Sequence, residues 1–363
     1  MLWLFLGVNC YRPGSSHQAL QMNVLSGFIS RFTAQYDEKK ESNRKFRRTV
    51  YGASDWRRHR SSSRHFNELF NMPFSNILRG VFPQSFCVAV FSLLVYGYNK
   101  FIEVTGNQIL PLLSFPALPF SLTSPSLGLL LVFRTNTAYA RWKDSRVAWA
   151  TMSSKAFNLM RQGASYFADR KLIADLARYT VVFALAAKFH LSPGGDLSSL
   201  REELGDILSL SELEDFLKAK NKPRKAVIEI TSIIKRAELI SSIQSHMDKG
   251  LCELTDAFYV CDRIYTTPIP LFYTRHTARF LLIWLLTVPM ALYQEFKTSK
   301  WALVPISTLN ALFLFGIEEL GVKIEEPFSI LPLNHFCEEI MSTADEVLMA
   351  NNAKAVQTVT LAE

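Results

Sequence analysis

The feature that most constrains this chain is a run of thirty residues, 104–133, without a charged side chain. The run is long enough to cross a membrane, which takes roughly 20 apolar residues in a helix. Its four prolines, Pro111, Pro116, Pro119 and Pro125, rule out one straight helix over its whole length. Non-helical backbone at membrane depth is tolerated where protein covers it or where it lines a water-filled cavity. The run therefore predicts either a pore or cavity, or an ordinary span kinked by proline.

Other segments predict further membrane helices and a water-exposed part. Apolar runs at 81–101, 267–294 and 301–317 are each typical of a membrane helix. A fourth helix is expected to begin near Ser126 and to continue for about 35 residues beyond the membrane. Charged residues make up 20% of the chain, against about 25% in soluble domains. We expect an all-α membrane protein with four transmembrane helices and a large helical domain outside the membrane.

The chain divides into five expected segments. Residues 170–265 read as soluble helices between two pairs of membrane helices, which places the inner ends of both pairs on one side. The segments are an N-terminal part (1–69), a first membrane pair with a long helix (70–168), a helical domain (169–266), a second membrane pair (267–320) and an acidic tail (321–363).

The N-terminal part combines an amphipathic stripe with a basic block. Apolar residues between Leu20 and Phe32 recur at helical spacing, which is typical of an interfacial anchor or of a helix packed on the body of the protein. Residues 37–65 hold ten Lys and Arg against four acids. The block fits contact with anionic lipid headgroups or a solvated linker. Binding to nucleic acid is not expected, because no motif for it accompanies the charge.

The sequence contains no pattern of a catalytic site. Nucleophile, phosphate-binding and zinc motifs are absent, and the seven histidines are dispersed. The five cysteines form no CxxC pair, so we expect reduced structural thiols, no metal site and no cofactor. The paired carboxylates at 318–319 and 325–326 read as solvated faces of the acidic tail. These observations argue against an enzyme and leave transport or anchoring.

Polar residues in and near the membrane segments favour anions over cations. The uncharged spans hold Ser, Thr, Pro and aromatic residues, and Arg134, Arg141, Arg275 and Arg279 lie near their ends. Anion pores use positive rings and apolar constrictions, whereas proton-coupled transporters need a buried carboxylate. Glu103 is the acidic residue at the edge of the first two membrane segments, between the apolar run 81–101 and the uncharged run 104–133.

Three motifs carry a resemblance to a known family. They are FRTNTAYARW at 133–142, PIPLFYTRH at 268–276, and EEPF at 325–328 followed by LPL at 331–333. Their order and composition over about residues 70–345 resemble the bestrophin family of anion channels, and most of all its plant thylakoid branch. The motif residues that match are Arg134, Asn136, Tyr139, Arg141, Trp142, Pro268, Pro270, Tyr273 and His276.

The resemblance implies a homopentamer with a single axial pore, embedded in membrane lipids. It implies a pore neck at Pro125, Leu129 and Phe133, which share one helix face because they are four residues apart, and an aperture at Thr267. It also implies voltage-dependent passage of chloride, and of nitrate, across the chloroplast thylakoid membrane. Residues 329–335 contain no acid, so the calcium clasp of animal members is not expected here.

Two other functions stay open from the sequence. A membrane-anchored scaffold would use the helical domain to bind partners and would conduct no ions. A proton-coupled anion exchanger would use Glu103 and would respond to a pH gradient alone.

Overall fold

A computed structural model describes residues 50–72, 75–106, 109–192 and 195–360 of the chain. The predicted amphipathic stripe at 20–32 and the part of the basic block before Val50 lie outside the described residues. The regular secondary structure of the described ranges is helical, without a β-strand. The helices in chain order are α1 (Ala53–His59), α2 (Arg64–Phe70), α3 (Asn76–Thr105), α4 (Leu118–Tyr166), α5 (Arg170–Leu191), α6 (Leu197–Gly205), α7 (Leu210–Lys218), α8 (Lys222–Arg236), α9 (Ser241–Thr266), α10 (Leu271–Glu295), α11 (Leu303–Glu325) and α12 (Leu333–Thr360).

The chain forms two compact units. The first, here the membrane unit, contains Tyr51–Tyr139 and Ile269–Glu325. The second, here the helical unit, contains Ala140–Pro268 and the chain from Glu326 onward. Helix α4 is continuous through the division, so one helix supplies residues to both units.

Among the residues that the structure describes, three helices, all in the membrane unit, are long and apolar enough to cross a membrane. They are α3, α10, and the segment Lys300–Glu325 that contains α11. The shared core of the unit also includes the first part of α4, since Leu127 and Leu131 pack in one cluster with Val88, Leu285 and Ala311. The four helices thus bury apolar side chains against one another, which is what a bundle of membrane helices requires.

Helix α3 shows why these residues pack closely. Its buried positions recur every three or four residues and include the small or polar Ser85, Ser92 and Asn99. Small residues at such spacing let the backbones of membrane helices approach one another. Ser75 caps the first turn by accepting a hydrogen bond from the Ile77 N–H at 3.3 Å. The helix ends before Gly106, whose φ of +62° is readily adopted by glycine.

Helix α4 begins earlier than the sequence indicated. It begins at Leu118 rather than near Ser126, and Pro125 lies inside it. Proline is tolerated in the first turn, where the N–H has no partner in any case, and this accommodates Pro119. The prediction that the prolines prevent one straight helix holds for the residues before Leu118, where no helix is assigned from Ile109 to Ala117.

The helical unit is built around α5. Most of its residues from Leu176 to Ala187 are buried, and α5 packs against α8 and α12. Side chains cap the first turns of two helices: Asp169 caps α5, and Ser209 with Glu212 forms a capping box at α7. Burial disfavours the ionised Glu212, but hydrogen bonds from Ser209 and Arg178 outweigh it and lower the pKa to about 2.

Candidate functional site

The three predicted neck residues lie on the surface of the single chain. Pro125 is exposed, and Leu129 and Phe133 are 53% and 54% exposed. On the opposite face of α4, Leu127 and Leu131 are each 2% exposed and form part of the membrane unit's core. More than half of the Leu129 and Phe133 side chains is therefore left uncovered by the chain itself, so this apolar face is available to line a pore.

The proline-rich segment before α4 has its backbone held by neighbouring helices. The Asn99 side chain donates to the Leu113 carbonyl at 2.9 Å and accepts from the Leu113 N–H at 2.7 Å. The Phe115 N–H donates to the Met290 carbonyl at 3.2 Å. Unpaired backbone groups are costly at membrane depth. These hydrogen bonds therefore explain how the non-helical segment is accommodated beside α4.

Arg134, directly after the predicted neck residue Phe133, lies in a buried cluster of charges. It is 4% exposed and forms an ion pair with Glu318 of α11. On the same helix, the adjacent Glu319 pairs at 3.3 Å with Lys323, one turn further along, and Lys323 also donates to the Asn76 carbonyl at 3.1 Å. Two positive and two negative groups thus compensate one another at the end of the bundle.

The sequence-based interpretation of Glu318 and Glu319 as a solvated tail was wrong. Helix α11 continues to Glu325, beyond the end of the predicted span at 317, and this carries both carboxylates into the bundle. Glu319 is 6% exposed. The four-residue spacing of Glu319 and Lys323 is a helical ion-pair signal that would have found the pair.

Arg141 holds the C-terminus of α9. Its guanidinium donates to the carbonyls of Ile264 at 2.6 Å and Thr267 at 2.8 Å. The last carbonyls of a helix lack intrahelical partners, and a charged donor is well suited to satisfy them. The backbone of Thr267, the predicted aperture residue, is held in this way while its side chain is exposed.

The remaining motif residues divide between packing and exposure. Trp142 packs against the core of the helical unit. The Tyr273 hydroxyl donates to the Leu130 carbonyl at 3.3 Å, and this hydrogen bond connects α10 to α4. The Ile269 N–H donates to the Glu325 carboxylate at 3.2 Å, so this acid also has a structural role. The exposed motif residues are Asn136, Tyr139, Pro268, Pro270 and His276.

The cysteines of the described ranges are free thiols, and two of them are buried. Over the described ranges no group of three His, Cys, Asp or Glu side chains is placed to hold a metal ion. Cys87, Cys252, Cys261 and Cys337 are free thiols, whereas Cys10 lies outside the described residues. Burial raises the pKa of Cys261 and of Cys337 to about 12, which keeps both thiols protonated and unreactive.

The chain is similar in sequence to proteins named as voltage-dependent chloride or anion channels. The chain is 35% identical over 317 residues to voltage-dependent chloride channel 2, chloroplastic, of Arabidopsis thaliana, covering 86% of this chain and 76% of the relative. Voltage-dependent chloride channel 1, chloroplastic, of the same plant is 33% identical and also covers 86% of this chain and 76% of the relative. A voltage-dependent anion channel-forming protein of Nostoc is 28% identical over 79% of this chain and 92% of its own length.

Solved structures show the same fold. A bacterial bestrophin homologue from Klebsiella pneumoniae superposes with a TM-score of 0.66 at 21% identity, covering 74% of this chain and 98% of the homologue. Residues 55–346 match the family model described as bacterial/fungal bestrophin protein. Because the match spans most of the chain and includes the motif residues set out above, this chain belongs to the bestrophin family.

Proposed function

We propose that this chain forms an anion channel that passes chloride, and also nitrate, passively down its electrochemical gradient. The observation that carries the proposal is the exposed apolar face of Pro125, Leu129 and Phe133 opposite a buried face of the same helix. Rings of such residues pass a weakly hydrated anion and exclude ions that hold water more strongly. The names of the Arabidopsis and Nostoc relatives support this choice.

Five copies of the chain arranged around one axis would turn the exposed stripe into a pore. A single copy offers only one strip of neck, so the pore requires several copies. In the proposed pentamer each neck residue contributes one ring, which gives three stacked constrictions of low polarity. The remaining apolar surfaces of the membrane unit, for example at Phe101 and Phe313, both more than half exposed, would meet lipid or a neighbouring copy.

The proposed location is the chloroplast thylakoid membrane. The Arabidopsis relatives are named as chloroplastic voltage-dependent channels, and the family motifs here resemble that branch. An anion flux into the lumen would balance the charge of pumped protons. Each charge that crosses gains about 2.3 kcal/mol per 100 mV of membrane potential, so the permeating anion itself is a source of voltage dependence.

Gating in this proposal does not use calcium. Residues 329–335, which follow the EEPF motif, contain no acid. The carboxylate of Glu326, just before them, already accepts a hydrogen bond from the Ser329 N–H at 3.2 Å. Thr267 stays a prediction for the aperture, with its backbone fixed by Arg141.

The experiment that tests the proposal is planar-bilayer recording of the purified protein with different chloride concentrations on the two sides. A channel gives a current that reverses at the chloride equilibrium potential. A scaffold gives no current, and a proton-coupled exchanger gives anion flux driven by a pH gradient alone. Glu103, the acid an exchanger would use, forms an ion pair with Lys300, so we expect a Glu103→Gln variant to keep its chloride current.

A further inference from the structure

A short turn with three serines connects α1 to α2, ahead of the membrane helix α3. The serines are Ser61, Ser62 and Ser63, and all three are exposed. Four arginines lie in the segment 57–64 that contains the turn: Arg57, Arg58, Arg60 and Arg64. The family motifs do not include this turn, and the proposed pore does not use it.

The turn can open at little cost in free energy. Helices α1 and α2 have seven residues each, and isolated helices shorter than roughly 12 residues are only marginally stable in water. All seven side chains of α1 are exposed, so tertiary packing adds little to its stability. Segments with few buried contacts open locally at low free-energy cost. The turn is therefore able to enter the active-site cleft of another enzyme in an extended conformation.

Ser63 has the arginine spacing that basic-directed protein kinases select. Arg60 lies three residues before it and Arg58 lies five residues before it. Neither Ser61 nor Ser62 has arginine at both of these places. Protein kinases distinguish substrates by such charge patterns, and carboxylates of the kinase bind each guanidinium through charge-assisted hydrogen bonds.

The Ser63 hydroxyl is available for reaction. Ser63 is the N-cap residue of α2, but its side chain forms no capping hydrogen bond. Its Oγ atom lies 2.8 Å from the Oγ atom of Ser61 in the same exposed turn. Arg60 donates its Nε–H to the Trp56 carbonyl at 3.3 Å, and a guanidinium has about five N–H donors in all. Arg60 therefore keeps donors for a kinase carboxylate before the reaction and for a phosphate after it.

We propose that Ser63 is the acceptor of a phosphoryl group, transferred from ATP by a serine/threonine protein kinase that selects arginines before its target. The Ser63 Oγ atom forms a bond to the γ-phosphorus of ATP while the bond from that phosphorus to the β–γ bridging oxygen breaks. The hydroxyl proton passes to a carboxylate of the kinase, and ADP leaves.

The phosphate would cancel the local excess of positive charge. Residues 51–72 hold four arginines against two carboxylates, and a phosphoserine carries about −2 charges at neutral pH. Ser63 lies 13 residues before Asn76, the first residue of α3, so the turn stays within reach of the membrane surface. Phosphorylation opposes the attraction of arginines to anionic lipid. In nanodiscs of anionic lipid, backbone hydrogen exchange of residues 57–64 should become faster on phosphorylation, and unchanged exchange would overturn this effect on lipid contact.

Phosphorylation of the full chain in lipid nanodiscs tests the proposal, with MgATP and a purified kinase that requires arginine three and five residues before its target. Peptide mass spectrometry locates the phosphate, and we expect a single phosphate on Ser63. Ser63→Ala should remove most of the incorporation, whereas Ser62→Ala, the same change one residue earlier, should leave it unchanged. Incorporation that is equal in the two variants, or absent from the wild type, would overturn the proposal.

Arginine variants separate recognition of a spacing from attraction to a basic cluster. Arg60→Gln should slow phosphorylation of Ser63 by about tenfold or more, because it removes charge-assisted hydrogen bonds to the kinase. Arg64→Gln removes the same charge one residue after the target and should leave the rate unchanged. Equal effects of the two variants would overturn the assigned spacing. Peptide mapping of the protein from the membranes of its source cells should find phosphate on Ser63, and its absence there under every growth condition would overturn the proposal.

Discussion

Replacing Arg134 with methionine removes the guanidinium that forms an ion pair with Glu318 in the membrane unit. The side chains of this ion pair are 5% and 18% exposed, so little water would replace the lost interaction. Removing one partner of a buried pair costs about 3–5 kcal/mol, mostly because the other charge stays buried and unpaired. Since water reaches part of Glu318, we expect a loss near the lower end, about 3 kcal/mol of unfolding free energy.

A second substitution separates loss of the pair from loss of packing. Changing Glu318→Gln in the Arg134→Met background removes the stranded charge, because a neutral amide tolerates burial far better than a carboxylate. We expect the double variant to regain about 2 kcal/mol relative to Arg134→Met alone. The gain would show that the cost of the single change comes from the uncompensated charge.

The assay is denaturant unfolding of the purified protein in detergent, followed by circular dichroism at helix wavelengths. Arg201→Met is the control, because its ion pair with Glu214 is 52% and 51% exposed and should contribute about 0–1 kcal/mol. The reasoning is refuted if Arg134→Met costs no more than the control. It is also refuted if the two changes at Arg134 and Glu318 simply add.

Three further changes have defined outcomes. Asn99→Ala should cost about 2 kcal/mol of unfolding free energy in the same assay, because the Leu113 N–H and carbonyl lose the hydrogen bonds that the buried Asn99 side chain makes to them; an unchanged midpoint would contradict this. Arg141→Met should cost about 2–3 kcal/mol and raise backbone hydrogen exchange near Thr267, and unaltered exchange there would argue against its capping role. The lowered pKa of Glu212, about 2 against an ordinary value of 4.5, contributes stability above pH 4.5 that is lost as the pH falls toward 2. Wild type should therefore lose melting temperature across that window more steeply than Glu212→Gln, and parallel curves would contradict the assignment.

The helices of this chain were largely predictable because their signals are local. Apolar runs of membrane length and side-chain caps such as Asp169 and Ser209 each act over a few residues. The sequence predicts the start of α4 too late, near Ser126, because a proline inside a helix removes a backbone hydrogen bond and favours a break. In the structure, Pro119 occupies the first turn and Pro125 lies within the helix. Neither proline prevented helix formation, and within residues 109–133 the non-helical part is 109–117.

The buried polar contacts could not be predicted in the same way, because they join distant parts of the chain. Arg134 and Glu318 are 184 residues apart in sequence, and Asn99 reaches a segment 14 residues further on. A carboxylate pair near an acidic C-terminal region looks solvated until the helix that carries it is known to enter the bundle.

The central claim is that anions pass through the apolar stripe of α4, and bilayer recording of Phe133→Ala tests it most directly. The matched control is Phe313→Ala, since Phe313 is 53% exposed and Phe133 is 54% exposed, both in the membrane unit but on different helices. We predict that Phe133→Ala changes chloride conductance or gating while the reversal potential stays at the chloride equilibrium value, and that Phe313→Ala behaves as wild type. Equal currents from wild type and both variants, with the oligomer intact, would contradict a pore through this ring.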